Sequence, residues 1–463
     1  MLEASPNMQV PLTSDIPILP NELLAKIFKL SIEYPITISP TVTNDSLPWS
    51  LFLVCKQWWH VVTGTPELWR NIIIDYEDQP WCLEPRTGDS ERVTRTARRA
   101  LLQNNNMPLS VEMYSHGLNK EEQESIINLI ALCSHQMKYL KLALCEETLR
   151  KLFSLPLNFN CLAFISINRC DGPGANEDLS PLVFSNAPLR AAELERYNWL
   201  LKSPDHPGEC GTLTHLSLYS ESEVSPLTAY KILRIYPNLV FLQIHLSKHD
   251  SPDDMYFETY SREAYPYPSL KTLFVNTSLP NVLIYLFMLV DFPSLTRLEI
   301  APREQSYSMD WSHSRVLSTV LGLKELHTFS ITIPIHSSYN MHSFLSSLPG
   351  LIDINLLEIP ENLLSSVYSG ELLPNLQTLR VPVIPQIFNL YLSMMSEHIG
   401  RDLTTQVRIE EDDWEEYLIF EADRDGREKI KELMRCGALQ VVHDYDTDAR
   451  IEEFFPSDLK MWN

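Results

Sequence analysis

One spacing of apolar residues returns ten times between residues 137 and 381, and no other feature restricts the possible fold so strongly. It runs apolar, two variable, apolar, one variable, apolar: QMKYLKL, CLAFISI, PLRAAEL, TLTHLSL, NLVFLQI, SLKTLFV, SLTRLEI, ELHTFSI, GLIDINL and NLQTLRV. The units start at Met137, Leu162, Leu189, Leu213, Leu239, Leu270, Leu295, Leu326, Leu351 and Leu376, about 24 to 31 residues apart. Alternation with period two places Leu140 and Leu142, or Leu298 and Ile300, on one side of a short strand and the residues between them on the other. A lone strand of this kind has nowhere to bury its apolar side, whereas neighbours stacked in parallel make a continuous core. Segments 226–236, 280–290 and 341–348 have the length and pattern of short helices that return the chain. Pro237, Pro268, Pro293, Pro349 and Pro374 stand just before the next strand, where a proline stops a helix and pre-sets an extended turn.

This spacing resembles the leucine-rich-repeat family over about 280 residues, through its L-x-x-L-x-L core. The closing position of the family motif, Asn or Cys, is met by Cys145 and Cys170 and replaced elsewhere by Glu221, Ser247, Arg303 and Ile359. The resemblance implies an α/β fold: a curved solenoid with parallel strands on the concave face and helices outside. Phe164, His215, Tyr219, Phe241, His245 and Phe274 fall between the repeat leucines and are expected to cluster, exposed, on that concave face. There aromatic side chains would anchor a protein substrate. Two atypical strands at 72–75 and 109–113, joined by a helix over 92–103, are expected to begin the array, which becomes regular from about residue 137. A helix over 387–399 follows it. The acidic stretch 401–463, with a strand at 418–420, a helix at 427–434 and a strand at 439–442, is expected to form a C-terminal cap.

Ahead of the array, Leu23, Leu24, Ile27, Phe28 and Leu30 recur at helical spacing, opposite Glu22, Lys26 and Lys29. Leu51, Val54, Cys55, Trp58 and Val62 repeat the pattern after a polar gap. So small a unit cannot bury this much apolar surface by itself, and the remainder needs a partner. Leu19, Pro20, Glu22, Leu23, Leu24, Ile27 and Phe28, then Val54, Cys55, Lys56 and Trp58, then Pro66, Leu68 and Trp69 resemble the F-box pattern of fungal-type F-box proteins, including the T-P-x-L-W ending at 65–69. The stretch 33–47 is longer than the usual link between the first two helices. The resemblance implies a three-helix F-box at 17–75, after a loose tail at 1–16, and a repeat domain over 76–400. In that family the module docks on a Skp-type adaptor, which connects it to a cullin scaffold, while the repeats hold a protein substrate for ubiquitin transfer. Carried onto this chain, the adaptor-binding residues are Leu19, Pro20, Leu23, Leu24, Ile27, Phe28, Val54, Cys55 and Trp58. The alternative is an interaction scaffold with no ubiquitin ligase role.

Composition narrows the remaining classes. A net charge of −23 argues against nucleic acid, because a duplex-binding surface works through clustered Lys and Arg. The opening residues lack the charged and apolar regions of a secretory leader, and the longest apolar run, 282–290, is about half of a membrane span. The eight cysteines include no C-x-x-C pair and lie mainly in apolar runs, which suits reduced core thiols in the cytoplasm or nucleus. No G-x-S-x-G, H-E-x-x-H, P-loop or dinucleotide fingerprint occurs, so no catalytic residue, metal or cofactor is expected. EADRDGREKIKE, from Glu421, partly mimics a calcium loop, but begins with Glu and is better explained as a turn before a helix.

Overall fold

The computed structural model describes residues 19–32, 35–39, 47–76, 89–114, 120–169, 187–194, 211–218, 223–247, 264–277, 280–302, 323–331, 338–356, 359, 361–382, 385–397, 403–409 and 424–443. They form a mixed α/β structure dominated by one parallel sheet, in which fifteen strands lie side by side in chain order. Helix α1 (Asn21–Ser31), strand β1 (Ile36–Ile38), helix α2 (Lys56–Thr63) and strand β2 (Asn71–Asp75) come first. Next are α3 (Asp89–Leu102), β3 (Leu109–Tyr114), α4 (Lys120–Cys133), β4 (Met137–Leu144), α5 (Glu146–Ser154), β5 (Phe164–Arg169), β6 (Ala191–Leu194) and β7 (His215–Leu218). Then come β8 (Glu223–Val224), α6 (Pro226–Ile235), β9 (Phe241–Leu246), β10 (Tyr265–Pro266), β11 (Thr272–Thr277), α7 (Pro280–Leu289), β12 (Val290–Asp291) and β13 (Arg297–Pro302). The series ends with β14 (Thr328–Ile331), α8 (Ser338–Ser346), β15 (Asp353–Leu356), α9 (Glu361–Ser369), β16 (Thr378–Pro382), α10 (Pro385–Glu397), β17 (Thr404–Ile409), α11 (Arg424–Arg435) and β18 (Leu439–His443). Short β8 pairs beside β9, and β10 with β12 makes a separate two-stranded ribbon.

All ten strands predicted from the repeat are present. The second apolar position of each unit is aligned in register, as in the run Leu216, Leu242, Leu273, Leu298, Phe329, Ile354 and Leu379. Every one of these is fully buried, in an apolar cluster that also takes in Leu233, Leu283 and Leu364 from the helices. A slip of one residue in any strand would turn this row out of the core, so the pattern fixes the register.

Several units also share a turn with a regularity of its own. The N–H of the starting leucine donates to the carbonyl three residues earlier: Leu239 to Tyr236, Leu295 to Phe292, Leu351 to Leu348 and Leu376 to Leu373, at 3.2 to 3.4 Å. Pro237, Pro293, Pro349 and Pro374 thus occupy the second position of a β-turn, whose backbone angle the proline ring already holds. The following residue ties the turns together, as Asn238 Nδ2 donates to Gly211 O at 2.7 Å and Asn375 Nδ2 to Pro349 O at 3.0 Å. Tyr267, 1% exposed, bridges two turns, donating its hydroxyl to Tyr236 O and accepting the Leu239 N–H at 2.9 Å.

Three expectations are corrected or extended. The segment 33–47, read as a link, contains β1, which pairs with β2 at the sheet edge through Ile36, Thr37 and Ile38. In the region 401–463, read as a cap, the expected helix and second strand are α11 and β18, and β17 and β18 carry the sheet on among the described residues. β17 escaped notice because Thr405 stands where Leu379 stands in β16, and its buried hydroxyl is satisfied by Tyr368 Oη at 3.1 Å. The strand predicted at 418–420 lies outside the described residues. Asp425 and Gly426 of the calcium-loop mimic sit inside α11, which leaves no loop there to wrap an ion. Cys133 is a buried thiol pushed up by desolvation, whereas Cys55, Cys161 and Cys436 are exposed. No helix of the described residues is long and apolar enough to cross a membrane.

Candidate docking surface

Helix α1 begins at Asn21, where Pro20 O accepts the N–H groups of Leu23 and Leu24, both at 3.1 Å. Its residues divide into two adjacent apolar rows. Leu24 and Phe28 are 2% and 1% exposed and face the protein's own interior, together with Ile32. Leu23, Ile27 and Leu30, at the i, i+4, i+7 spacing that lines up on one helical stripe, are 49%, 44% and 80% exposed. Leu19, ahead of the helix, is 44% exposed.

The rest of the module holds α1 in place. Phe28 meets Trp58 of α2 edge-on, with ring centroids 4.9 Å apart. Gln57 Nε2 donates to Leu19 O at 2.7 Å and to Asn21 Oδ1 at 3.0 Å, which pins α2 to the start of α1. Two 3-10 turns complete the unit, Trp49–Leu53 and Pro66–Trp69, the second standing where a third helix was expected. Trp69 is fully buried, donates its indole N–H to Val62 O at 3.1 Å and lies 5.4 Å from the Trp49 ring. Lys29 Nζ lies 3.4 Å from Glu67, whose carboxyl is held below its usual range first by a hydrogen bond from its own backbone N–H and then by Lys29. At Gly64, where the chain turns out of α2, a Cβ would sit 2.9 Å from His60 O.

The expected set of adaptor-binding residues therefore splits. Leu19, Pro20, Leu23, Ile27, Val54 and Cys55 are exposed. Leu24 and Phe28 are corrected to core residues, and Trp58 is half-buried against that core. The spacing shows that part of the apolar surface needs a partner but not which part, and a helix lying on a sheet end must bury one stripe of its own. The sequence reading missed Leu53 and Trp59, 70% and 41% exposed. Trp59 follows Trp58 directly, and a helix turning by 100° per residue sends adjacent side chains to different faces.

The sheet face turned away from the core also departs from expectation. Phe164, His215, Phe241, His245 and Phe274 are 1%, 8%, 1%, 4% and 6% exposed, so their expected role as open anchors is corrected; Tyr219 lies outside the described residues. Strands some 4.8 Å apart bring such rings onto one another. Tyr139 stacks on Phe164 at 4.2 Å, and Phe241 lies 5.9 Å from His215 and 5.4 Å from Phe274. The Arg297 guanidinium covers Phe274 at 5.4 Å and marks a change of character. Beyond it the same face is polar. Arg297 pairs with Glu299, Arg380 reaches Asp353 at 2.8 Å and Gln406 at 2.8 Å, and Asn355 donates to Ser330 at 2.8 Å. Burial pushes the carboxyls of Glu299 and Asp353 above their ordinary range, against the opposing pull of Arg297 and Arg380.

Among the described residues no group of three His, Cys, Asp or Glu side chains is placed to hold a metal ion. The arrangement is one of surfaces: an apolar helical stripe at the amino-terminal end and a half-buried polar strip on the far face of the sheet. Comparison of the chain with protein-family models and with curated proteins gives no match.

Proposed function

We propose that the amino-terminal helices form an F-box that docks on a Skp-type adaptor, and that the parallel array is a leucine-rich-repeat solenoid presenting a protein substrate. The chain would then be the non-catalytic substrate-recognition subunit of a cullin-type ubiquitin ligase. Its contribution is positioning, because holding a substrate lysine near the charged ubiquitin carrier raises the effective concentration of the two. The observation that carries this reading is the second apolar row of α1. Leu23, Ile27 and Leu30 stand open on a helix whose other apolar row is already sealed in the core. Burial of apolar surface is the main source of affinity available to such a helix.

Substrate contact belongs, in this reading, to the polar strip around Arg297, Glu299, Asp353 and Arg380, since the aromatic half of that face is already filled. Co-purification with a recombinant Skp-type adaptor tests the docking step. A stoichiometric complex that is lost when Leu23 and Ile27 are changed to aspartate supports it. Retention of the complex in that variant counts against docking through this row, and no complex with the parent chain leaves a scaffold without a ligase role.

A further inference from the structure

Helix α3 carries Arg92, Arg95, Arg98 and Arg99, four of the chain's 37 basic residues within eight positions, and all four are exposed. Val93, Ala97, Ala100 and Leu101 are buried beneath them. At 100° per residue the arginines fan over about 120° of the outward side, opposite the buried row. Local energetics work against this arrangement. Arg92/Arg95 and Arg95/Arg98 are like charges at i, i+3, and Arg95/Arg99 at i, i+4, spacings at which like charges weaken a helix. Arg99, in the last turn, is favoured by the helix dipole, so the cost falls on the crowded like charges. The Glu91–Arg95 pair, at 2.7 Å with both side chains about three-quarters exposed, is well solvated and contributes little.

The arginine face adjoins the amino-terminal helices. The Arg99 guanidinium sits 4.3 Å over the ring of Phe52, next in sequence to exposed Leu53 and Val54. We infer that the arginine face of α3 is a docking site for a short acidic polypeptide segment, carried by the same partner that covers the apolar row of α1. From Arg92 to Arg99 the face is about 10 Å long, which matches three or four extended residues. A duplex nucleic acid needs a far longer basic track than this one helix face supplies. The identity of the partner rests on the docking reading above; the chemistry of the site does not.

The test uses the full chain and the variant Arg92→Gln/Arg95→Gln/Arg98→Gln, which keeps Arg99 on Phe52 and replaces arginine by another good helix former. Unchanged far-ultraviolet circular dichroism and melting temperature confirm that the variant is folded. Fluorescein-labelled hexaglutamate should bind the parent chain at low ionic strength and bind the variant about tenfold more weakly, the sum of a few solvated ion pairs. The difference should vanish in high salt, which screens exposed charges. Binding of a Skp-type adaptor should weaken to a similar extent. Equal hexaglutamate binding by the two proteins overturns the site, as does a preference for duplex RNA over hexaglutamate. Hexaglutamate binding with no adaptor complex overturns the docking reading alone, and adaptor binding indifferent to the three substitutions overturns the shared partner.

Discussion

Replacing Leu23, Ile27 and Leu30 together by alanine separates docking from folding. Full burial of such a side chain is worth about 1.5 to 3 kcal/mol. The three are 49%, 44% and 80% exposed, so most of that potential is unused in the isolated chain. Covering them should contribute about 3 to 5 kcal/mol to a complex before ordering costs, equivalent to a roughly hundred- to several-thousand-fold loss of affinity on truncation. The folded chain should scarcely notice, because alanine favours helix and exposed substitutions shift stability by about 0.5 kcal/mol or less each. Leu24→Ala is the matched control. It removes a side chain that is 2% exposed, should cost about 2 to 5 kcal/mol of stability, and takes nothing from the exposed row. Calorimetric titration of a Skp-type adaptor, with urea unfolding of each variant, reads both quantities. A triple variant that binds within about threefold of the parent refutes the reasoning, and so does one as destabilised as Leu24→Ala.

Three further outcomes are expected. Tyr267→Phe removes a buried hydroxyl that serves Tyr236 O and the Leu239 N–H, and should cost about 2 to 4 kcal/mol in urea unfolding; parent-like stability would contradict the bridging role. Thr405→Leu restores the leucine of the motif but strips Tyr368, whose hydroxyl burial has pushed up to about 12, of its partner at 3.1 Å. It should lower the melting temperature, and a rise would show that apolar gain outweighs the lost hydrogen bond. Glu299 and Asp353 hold protons in the folded state at pH values where the unfolded chain has released them. Their contribution is fully present below the ordinary values of 4.5 and 3.8 and is lost as pH rises through the raised folded values. The Glu299→Gln/Asp353→Asn variant should therefore show a flatter fall of stability than the parent between the ordinary and the raised values, and parallel profiles would contradict the sign.

The repeat strands were legible because burial on one side imposes period two, and ten copies of L-x-x-L-x-L make the period unmistakable. Turn chemistry was legible in part. Prolines before the strands stood out, while the buried residue before each of them, Tyr236, Phe292, Leu348 or Leu373, was overlooked although it recurs just as regularly. β17 was hidden by Thr405, since a threonine satisfied by Tyr368 does core duty without looking apolar. β1 was hidden by its length, three residues whose burial depends on β2 from a distant part of the chain. At the candidate docking surface the sequence identified the apolar residues of α1 but not which row faces the interior, because both rows have the same composition. Only the placement of Trp58 and Trp69 decides it. The far-face aromatics were misjudged for a related reason: in-register strands bring alternate residues together, and aromatic rings so placed can bury one another.

Amide hydrogen exchange of the full chain, with and without a saturating Skp-type adaptor, tests the central claim most directly. The account predicts slowed exchange in α1 and in the stretch from Leu53 through α2, with β15 to β18 unchanged. Unaltered exchange across α1, or protection confined to the sheet, would contradict it.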